Sequence, residues 1–552
     1  MALRDRRLAA ARVVVCAALV VLHTWPLALA PHRLTRHDNA DTMLNEWIVA
    51  WVAHQIPRAP LALFDANIFH PERRTLAFSE HLVVPALMGA PLHWAGVSPP
   101  LVYNLLVMLG FGASAWAMWR MLETWTGSAL AGFVAGSLYA FNAHTLTRLP
   151  HVQALHLEFL PFAWLALDRL LKHPGRRDAA LLGIFAALQA LTSNYLLVFT
   201  ALALALSVLC RPADWLRPWR PRTAGYVLAA AALGAVLVGP FLVPYLLAQR
   251  EQGLTRSLEE VALYSSTWRD YVATAGLVHY KAWSHRVFDG ATALFPGFSA
   301  LLLALVAIVK GRALADPRAR MVAVTGAAGF VLSFGPAVPG YAWLYDAFPL
   351  LQGVRGAARF GFLAVIAVAV LAGYGVAWIE RRTRHSGARI AVAAIIIVLV
   401  HGEAWRGPIA YRAFDGIPAV YRVIAREPHA VVAEFPFFPV EGVFRNAAYV
   451  LNSTAHWKPL VNGYSGFTPA SYVENARALH QFPDDRARAR LAELGVTHVV
   501  VHLDAYGGRR AAMQAALADT PWLRLVATER DVRVYRTGDQ GLGVGGWGEG
   551  KK

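Results

Sequence analysis

Charge is scarce in this 552-residue chain: Asp, Glu, Lys and Arg make up 16% of it, whereas 57% is hydrophobic. A soluble globular domain carries about a quarter charged residues, so that class is excluded and a membrane protein is implied. Acidic residues are the scarcer sign, 35 against 52 Lys plus Arg, which leaves a formal charge of +17. Such a surplus can mark a nucleic-acid binder, but here the basic residues punctuate apolar runs such as 223–248 instead of clustering on a polar surface. Lipid and membrane topology explain them better. Cysteine is limited to Cys16 and Cys210, both in or beside apolar runs, so no disulfide framework is expected. No internal repeat is visible, which argues against a transporter built from duplicated halves.

Long apolar runs, in contrast, are abundant. Against a span of about 20 residues, they fall near 10–30, 100–121, 127–143, 153–170, 178–192, 195–210, 223–248, 293–309, 320–338, 357–379 and 388–405. The expected fold is therefore a polytopic α-helical membrane protein of about eleven spans. The first run is long and lacks a small-residue cleavage pattern, so it reads as a span and not as a cleaved signal. The run 82–97 is short and holds Pro85, Pro91 and His93, and is expected to lie along the interface.

With the N terminus inside, the alternate connections hold Arg4, Arg6, Arg7 and Arg12; Arg120; Arg169, Lys172, Arg176 and Arg177; Arg211, Arg217, Arg220 and Arg222; Lys310, Arg312, Arg318 and Arg320; and Arg381, Arg382, Arg384 and Arg389. The short outward turns at 144–152 and 193–194 hold only Arg148, as the positive-inside rule requires.

Eleven spans leave three large pieces on the outer side: residues 31–99, residues 249–292 and the chain after the last span. The transmembrane domain is placed at 1–409 and an extracytoplasmic α/β domain at 410–537, with strand-like runs at 430–435, 496–503, 523–528 and 532–537. A Gly-rich tail follows at 538–552, expected to be flexible.

The first outer stretch is the richest in chemistry. Asp38 and Asp41 directly follow the first span, where a carboxylate can meet both a lipid-borne phosphate and a water-soluble acceptor. Asp41 also suits the capping of an amphipathic stretch, 42–56, whose Trp47 and Trp51 serve either as membrane anchors or as sugar-stacking rings. Glu80 and His81 offer ligands to a divalent cation such as Mg or Mn, provided that other groups join them. Glu46, Asp65 and Glu72 read as solvated loop charges or local caps. Arg148, with Arg355 and Arg359 at the outer mouth of the tenth span, suits phosphate, and Lys281 offers a weaker alternative. His151, His156 and Glu158 are polar where a helix should turn apolar, and are candidates to line a cavity or to lock helix packing.

The sequences HDNADTMLNEWIVAWVAHQ (37–55) and LFDANIFHPERRTLAFSEHLV (63–83), with HVQALHLEFLPFAWLALDRLL (151–171) and VRGAARFGFLAVIAVAVLAGYG (354–375), resemble bacterial members of the GT-C glycosyltransferase superfamily, including YfhO-like groups. The resemblance implies a multi-span enzyme of the bacterial inner membrane, N terminus cytoplasmic. Such an enzyme transfers a sugar from a polyprenyl-phosphate or pyrophosphate carrier to a glycan, lipid or protein acceptor on the outer face. It assigns an essential acid, often the general base, to the first outer loop, here Asp41 or Asp38. The usual Asp-Glu pair is absent, which leaves the choice between the two open. The rival readings are a lipid-linked sugar flippase and a non-catalytic membrane protein that binds an envelope polymer through its outer domain.

Overall fold

The structure is a computed structural model that describes residues 2–216 and 218–538. Arg217 and the Gly-rich tail from 539 onward lie outside the described residues. The chain divides into two compact units: residues 1–54 with 80–414, and residues 55–79 with 415–552.

The first unit is helical. Its main helices are α1 (Ala2–His23), α2 (Ala40–Gln55), α3 (Val83–Trp94), α4 (Pro99–Thr126), α5 (Ala129–Ala140), α6 (Phe159–Lys172), α7 (Arg176–Thr192), α8 (Asn194–Leu209), α9 (Pro221–Gln252), α10 (Phe298–Val309), α11 (Pro317–Ser333), α12 (Gly361–Arg382) and α13 (Ser386–Ala404). Each of the eleven apolar runs overlaps one of these helices. Among the described residues, four helices are long and apolar enough to cross a bilayer unaided: α4, α9, α12 with its lead-in turn from Ala357, and α13. Shorter apolar stretches come from α1, α5, α8 and α10. Helix α3 has 12 residues, too few to span.

Local signals explain the boundaries. Pro99 and Pro100 open α4, where a missing N–H costs nothing, and Gly127 closes it with φ of 74°. Ser128 then caps α5 by accepting from the Ala131 amide at 3.0 Å. The α4–α5 hairpin closes on small residues: a Cβ at Gly136 would sit 2.4 Å from the Ala115 carbonyl oxygen, so only glycine permits this approach.

Helix α2 differs from the amphipathic interfacial helix expected over 42–56. Every residue from Leu44 to Ala53 is buried, Trp47 and Trp51 included, and α3 lies against it: Trp94 donates its indole N–H to the Ala53 carbonyl at 2.9 Å, and Val49 packs beside Gly89. Glu46, expected to be a solvated charge, is fully buried on this helix. Its Oε2 accepts from His37 Nε2 at 2.8 Å.

The second unit carries a four-stranded sheet in the order β3-β4-β6-β5, where β3 is Val432–Phe435, β4 His498–His502, β5 Leu523–Glu529 and β6 Val532–Thr537. Strands β3 and β4 are parallel, and the remaining pairings are antiparallel. These are the four strand-like runs of the sequence. A two-residue ribbon in the first unit, β1 (Leu34–Thr35) with β2 (Arg412–Ala413), completes the strands.

Residues 55–79 were read from sequence as part of the transmembrane domain's outer loop, but they fold with the sheet unit. Leu460 N–H donates to the Asn67 carbonyl, and the Phe69 and His70 amides donate to Asn462 and Leu460, at 2.8–3.0 Å. Phe69 lies against Gly463, where any Cβ would clash with its ring, and Ile68, Leu76 and Phe78 are buried. Backbone pairing plus apolar burial therefore fixes this segment to the sheet unit.

Candidate active site

The site belongs to the first unit and is assembled from five stretches: the start of α2, residue 80, the 141–153 connection between α5 and α6, the lead-in to α8 and the lead-in to α12. The 141–153 connection is held from both sides. Asn142 Oδ1 accepts from the Thr145 amide at 3.0 Å, which fixes a helical turn that presents His144. Tyr103 on α4 donates its hydroxyl to the Leu149 carbonyl at 3.0 Å and accepts from the Val152 amide at 3.2 Å, while Asn45 on α2 donates to the Pro150 carbonyl at 2.8 Å. Arg148 and His151 are thereby set on a braced segment.

Asp41 is not the cap of its own helix. Asn39 Oδ1 accepts the Asp41 amide at 2.9 Å, and the Asp41 carboxylate instead lies with Oδ2 3.3 Å from His151 Nε2. Its side chain is 37% exposed. Asp38 is engaged differently: Arg36 grips both of its oxygens at 2.9 Å, which holds the Asp38 carboxyl below the usual carboxylate range.

Beside this pair is a narrow cavity of about 30 Å3, lined by His144, Arg148, His151, Glu80, Tyr195 and Arg359 among others. Arg148 is half-buried with Nε unpartnered, and neither it nor Arg359 forms an ion pair with a carboxylate among the described residues. Burial, then the repulsion of Arg359, lowers Arg148 to about 9, still charged at neutral pH. Burial also lowers His151, against the pull of Asp41 and aided by Arg359. His144 lies well below its ordinary range through burial and then through Arg148 and Arg359. Two guanidinium groups and two imidazoles held neutral thus face one small space. Arg359 stacks over the Tyr195 ring at 4.1 Å, and the Tyr195 hydroxyl accepts the Gly356 amide at 3.1 Å.

Glu80 reaches the same cavity, where it accepts from Gln153 Nε2 at 2.8 Å and from the Ser193 hydroxyl. His81 turns the other way: it is buried against Phe241 and Tyr245, its Nδ1 accepts the Val83 amide at 3.3 Å, and burial lowers it to about 4. The two adjacent side chains do not share a centre, and no group of three His, Cys, Asp or Glu among the described residues could hold an ion. This donor set does not fit the expected divalent cation.

No family model matches the sequence, and no curated protein matches it. The fold is more telling. The arabinofuranosyltransferase AftD from Mycobacteria superposes over 96% of this chain and 40% of its own, with TM-score 0.57 at 17% identity. A mutant form of AftD gives 0.58 at 18% identity, covering 96% and 41%. ArnT from Cupriavidus metallidurans, solved with undecaprenyl phosphate, gives 0.46 at 14% identity over 96% of this chain and 98% of its own. The fold is shared with AftD over nearly the whole of this chain. This chain spans about two fifths of the AftD chain.

Several sequence candidates stand away from the cavity. Arg355, four residues before Arg359, stacks on Tyr264 at 4.6 Å and approaches Glu260 at 3.9 Å, because the turn at 357–360 is 3-10 and not α-helical and so splits the two side chains. Lys281 is exposed on the short helix Leu277–Ala282 and does not line the cavity. His156 and Glu158 are buried partners behind it: His156 Nδ1 lies 2.9 Å from Glu158 Oε1 and its Nε2 donates to the Leu106 carbonyl at 3.0 Å, which ties the start of α6 to α4. Sequence reasoning passed over His144, Ser193 and Tyr195. His144 did carry a signal, four residues before Arg148 in a turn otherwise short of charge.

Proposed function

We propose that this protein is a membrane glycosyltransferase that moves a sugar from a polyprenyl-phosphate-linked donor to a hydroxyl acceptor on the outer face of the cytoplasmic membrane. The observation that carries the reading is the pair Arg148 and Arg359, unpaired by any carboxylate among the described residues and facing one cavity beside the Asp41–His151 couple. Two unpaired guanidinium groups at a membrane protein's polar cavity call for an anion, and a phosphodiester supplies it.

In the proposed reaction the acceptor hydroxyl oxygen attacks the anomeric carbon as the bond from that carbon to the phosphate oxygen breaks. The leaving polyprenyl phosphate keeps the electron pair and gains negative charge, which Arg148 and Arg359 stabilise. Asp41 takes the hydroxyl proton, and His151 positions the Asp41 carboxylate from its neutral form. A single displacement of this kind inverts the anomeric centre. Asp38, already clamped by Arg36, is the weaker candidate for the base. The sheet unit is proposed as the acceptor-recognising part.

The test is transfer of radiolabelled sugar from polyprenyl-phosphate donors to cell-envelope acceptors by the purified full-length protein. Transfer that Asp41→Asn abolishes without loss of folding supports the reading. Transfer untouched by Asp41→Asn removes the mechanism, and absence of transfer from every donor tried moves the flippase reading forward.

A further inference from the structure

An apolar recess in the first unit lies at the far end of α12 from the cavity just described. Helix α12 has 22 residues, about 33 Å at 1.5 Å per residue, and Arg359 precedes its start while the recess opens at its finish. Helices α12 and α13 are consecutive and joined by a short turn, yet α13 packs on α5 and α10 more than on α12. The two therefore splay, and the wedge between them is a groove of about 250 Å3 walled by Leu130, Val376, Ile379, Val392, Ala393 and Ile396. It opens sideways beside the outward face of α13, where Ile390, Ile395, Val398 and Leu399 are exposed. In a membrane protein that face meets acyl chains.

The end of the groove is basic. Residues 380–389 hold Arg381, Arg382, Arg384 and Arg389 against one acid, Glu380. Glu380 is committed within the protein: Arg389 Nη2 donates to it at 2.9 Å and the Ser128 hydroxyl donates to its other oxygen. Arg381 and Arg384 are exposed and form no ion pair among the described residues. The charged lining of the slot, Glu380 and Arg389, is paired, but the unpaired Arg381 and Arg384 directly follow the Glu380 and Thr383 that line its end, and an apolar slot with this surplus beside it matches an amphiphile with an anionic head.

We propose that this groove binds one anionic phospholipid, with an acyl chain between α12 and α13 and its phosphate against the 381–389 arginines. The lipid wedges the splayed pair and is distinct from the donor of the catalytic cavity, which lies at the opposite end of α12.

The experiment uses the full-length protein reconstituted in nanodiscs of equimolar phosphatidylglycerol and phosphatidylcholine, released into mild detergent and examined by native mass spectrometry. The expected result is one retained phosphatidylglycerol per chain, favoured over phosphatidylcholine by at least about fivefold. Ala393→Trp, which fills the groove, should abolish retention, whereas Ile395→Trp on the outward face should not. Should Ala393→Trp not yield monodisperse protein, Ala393→Phe serves as the milder block. Arg381→Gln with Arg384→Gln should remove the headgroup preference while leaving lipid bound. Equal retention of the two lipids by the unaltered protein would overturn the proposal, as would unchanged retention in the Ala393 variant. Displacement by millimolar glycerol 1-phosphate would show a simple anion site, and a doubled mass would show a second chain in the groove. Either of these outcomes also overturns it.

Discussion

Asp38 and Asp41 are three residues apart and chemically identical, yet their surroundings give them different work. Arg36 holds Asp38 by both oxygens and favours its charged form, which makes it a poor proton acceptor. Asp41 meets a neutral imidazole and is partly exposed. Asp41→Asn is therefore expected to lower transfer by at least about 100-fold, the usual scale for a lost general base, whereas Asp38→Asn should cost less than about tenfold; initial rates at saturating donor distinguish them. Tyr195 offers a finer test. Tyr195→Phe removes only the bond to the Gly356 amide and should raise the donor KM a few-fold, while Tyr195→Leu also removes the ring beneath Arg359 and should raise it more, with kcat changing less in both. At this scale the sequence was legible where residue type decided the matter, as with the acids after the first span and the arginine in a short turn. It was silent on Asn39 taking over the cap and on Tyr195, because both depend on contacts of backbone groups that no residue pattern records.

Helices were legible because apolar runs and their flanking Pro, Gly and Ser are local signals. The character of α2 was not, because burial of all sides of a helix by the surrounding chain is a tertiary fact. Its buried Glu46 is paired with His37, and burial raises the Glu46 carboxyl against His37's opposing pull. Removing His37 leaves that group unpaired, so His37→Ala should destabilise the first unit by about 3–5 kcal/mol, read as a lower midpoint in thermal unfolding. The 141–153 connection carries a pH signature. His151 is lowered by burial and by Arg359, so on acidification it stays neutral past its ordinary range, and the acid limb of the transfer rate should fall below pH 6.5. Arg359→Gln removes one lowering cause, which eases protonation of His151, and the acid limb of the residual rate should move upward in pH.

The whole molecule is divided differently from its sequence order. Residues 55–79 leave α2, fold with the sheet unit and return at Glu80, so the stretch that supplies Glu80 to the cavity and Asp41 to the His151 beside it is interrupted by a piece of the other unit. Composition could not reveal this, since 55–79 looks like a polar loop and its pairing partner at 459–462 is nearly 400 residues away. Truncation after Phe414 should consequently uncover Ile68, Phe69, Leu76 and Phe78 and give aggregated protein, and replacing 55–79 with a Gly/Ser linker in the same truncation should restore a monodisperse elution profile. The central claim, that one cavity binds a lipid phosphate through two arginines while Asp41 acts only in transfer, is tested most directly by measuring polyprenyl-phosphate binding beside sugar transfer in three proteins. The expected result is that Asp41→Asn binds the lipid as the unaltered protein does but transfers no sugar, and that Arg359→Gln loses binding by at least about tenfold. Binding that Arg359→Gln leaves unchanged, or that Asp41→Asn abolishes, would contradict the account.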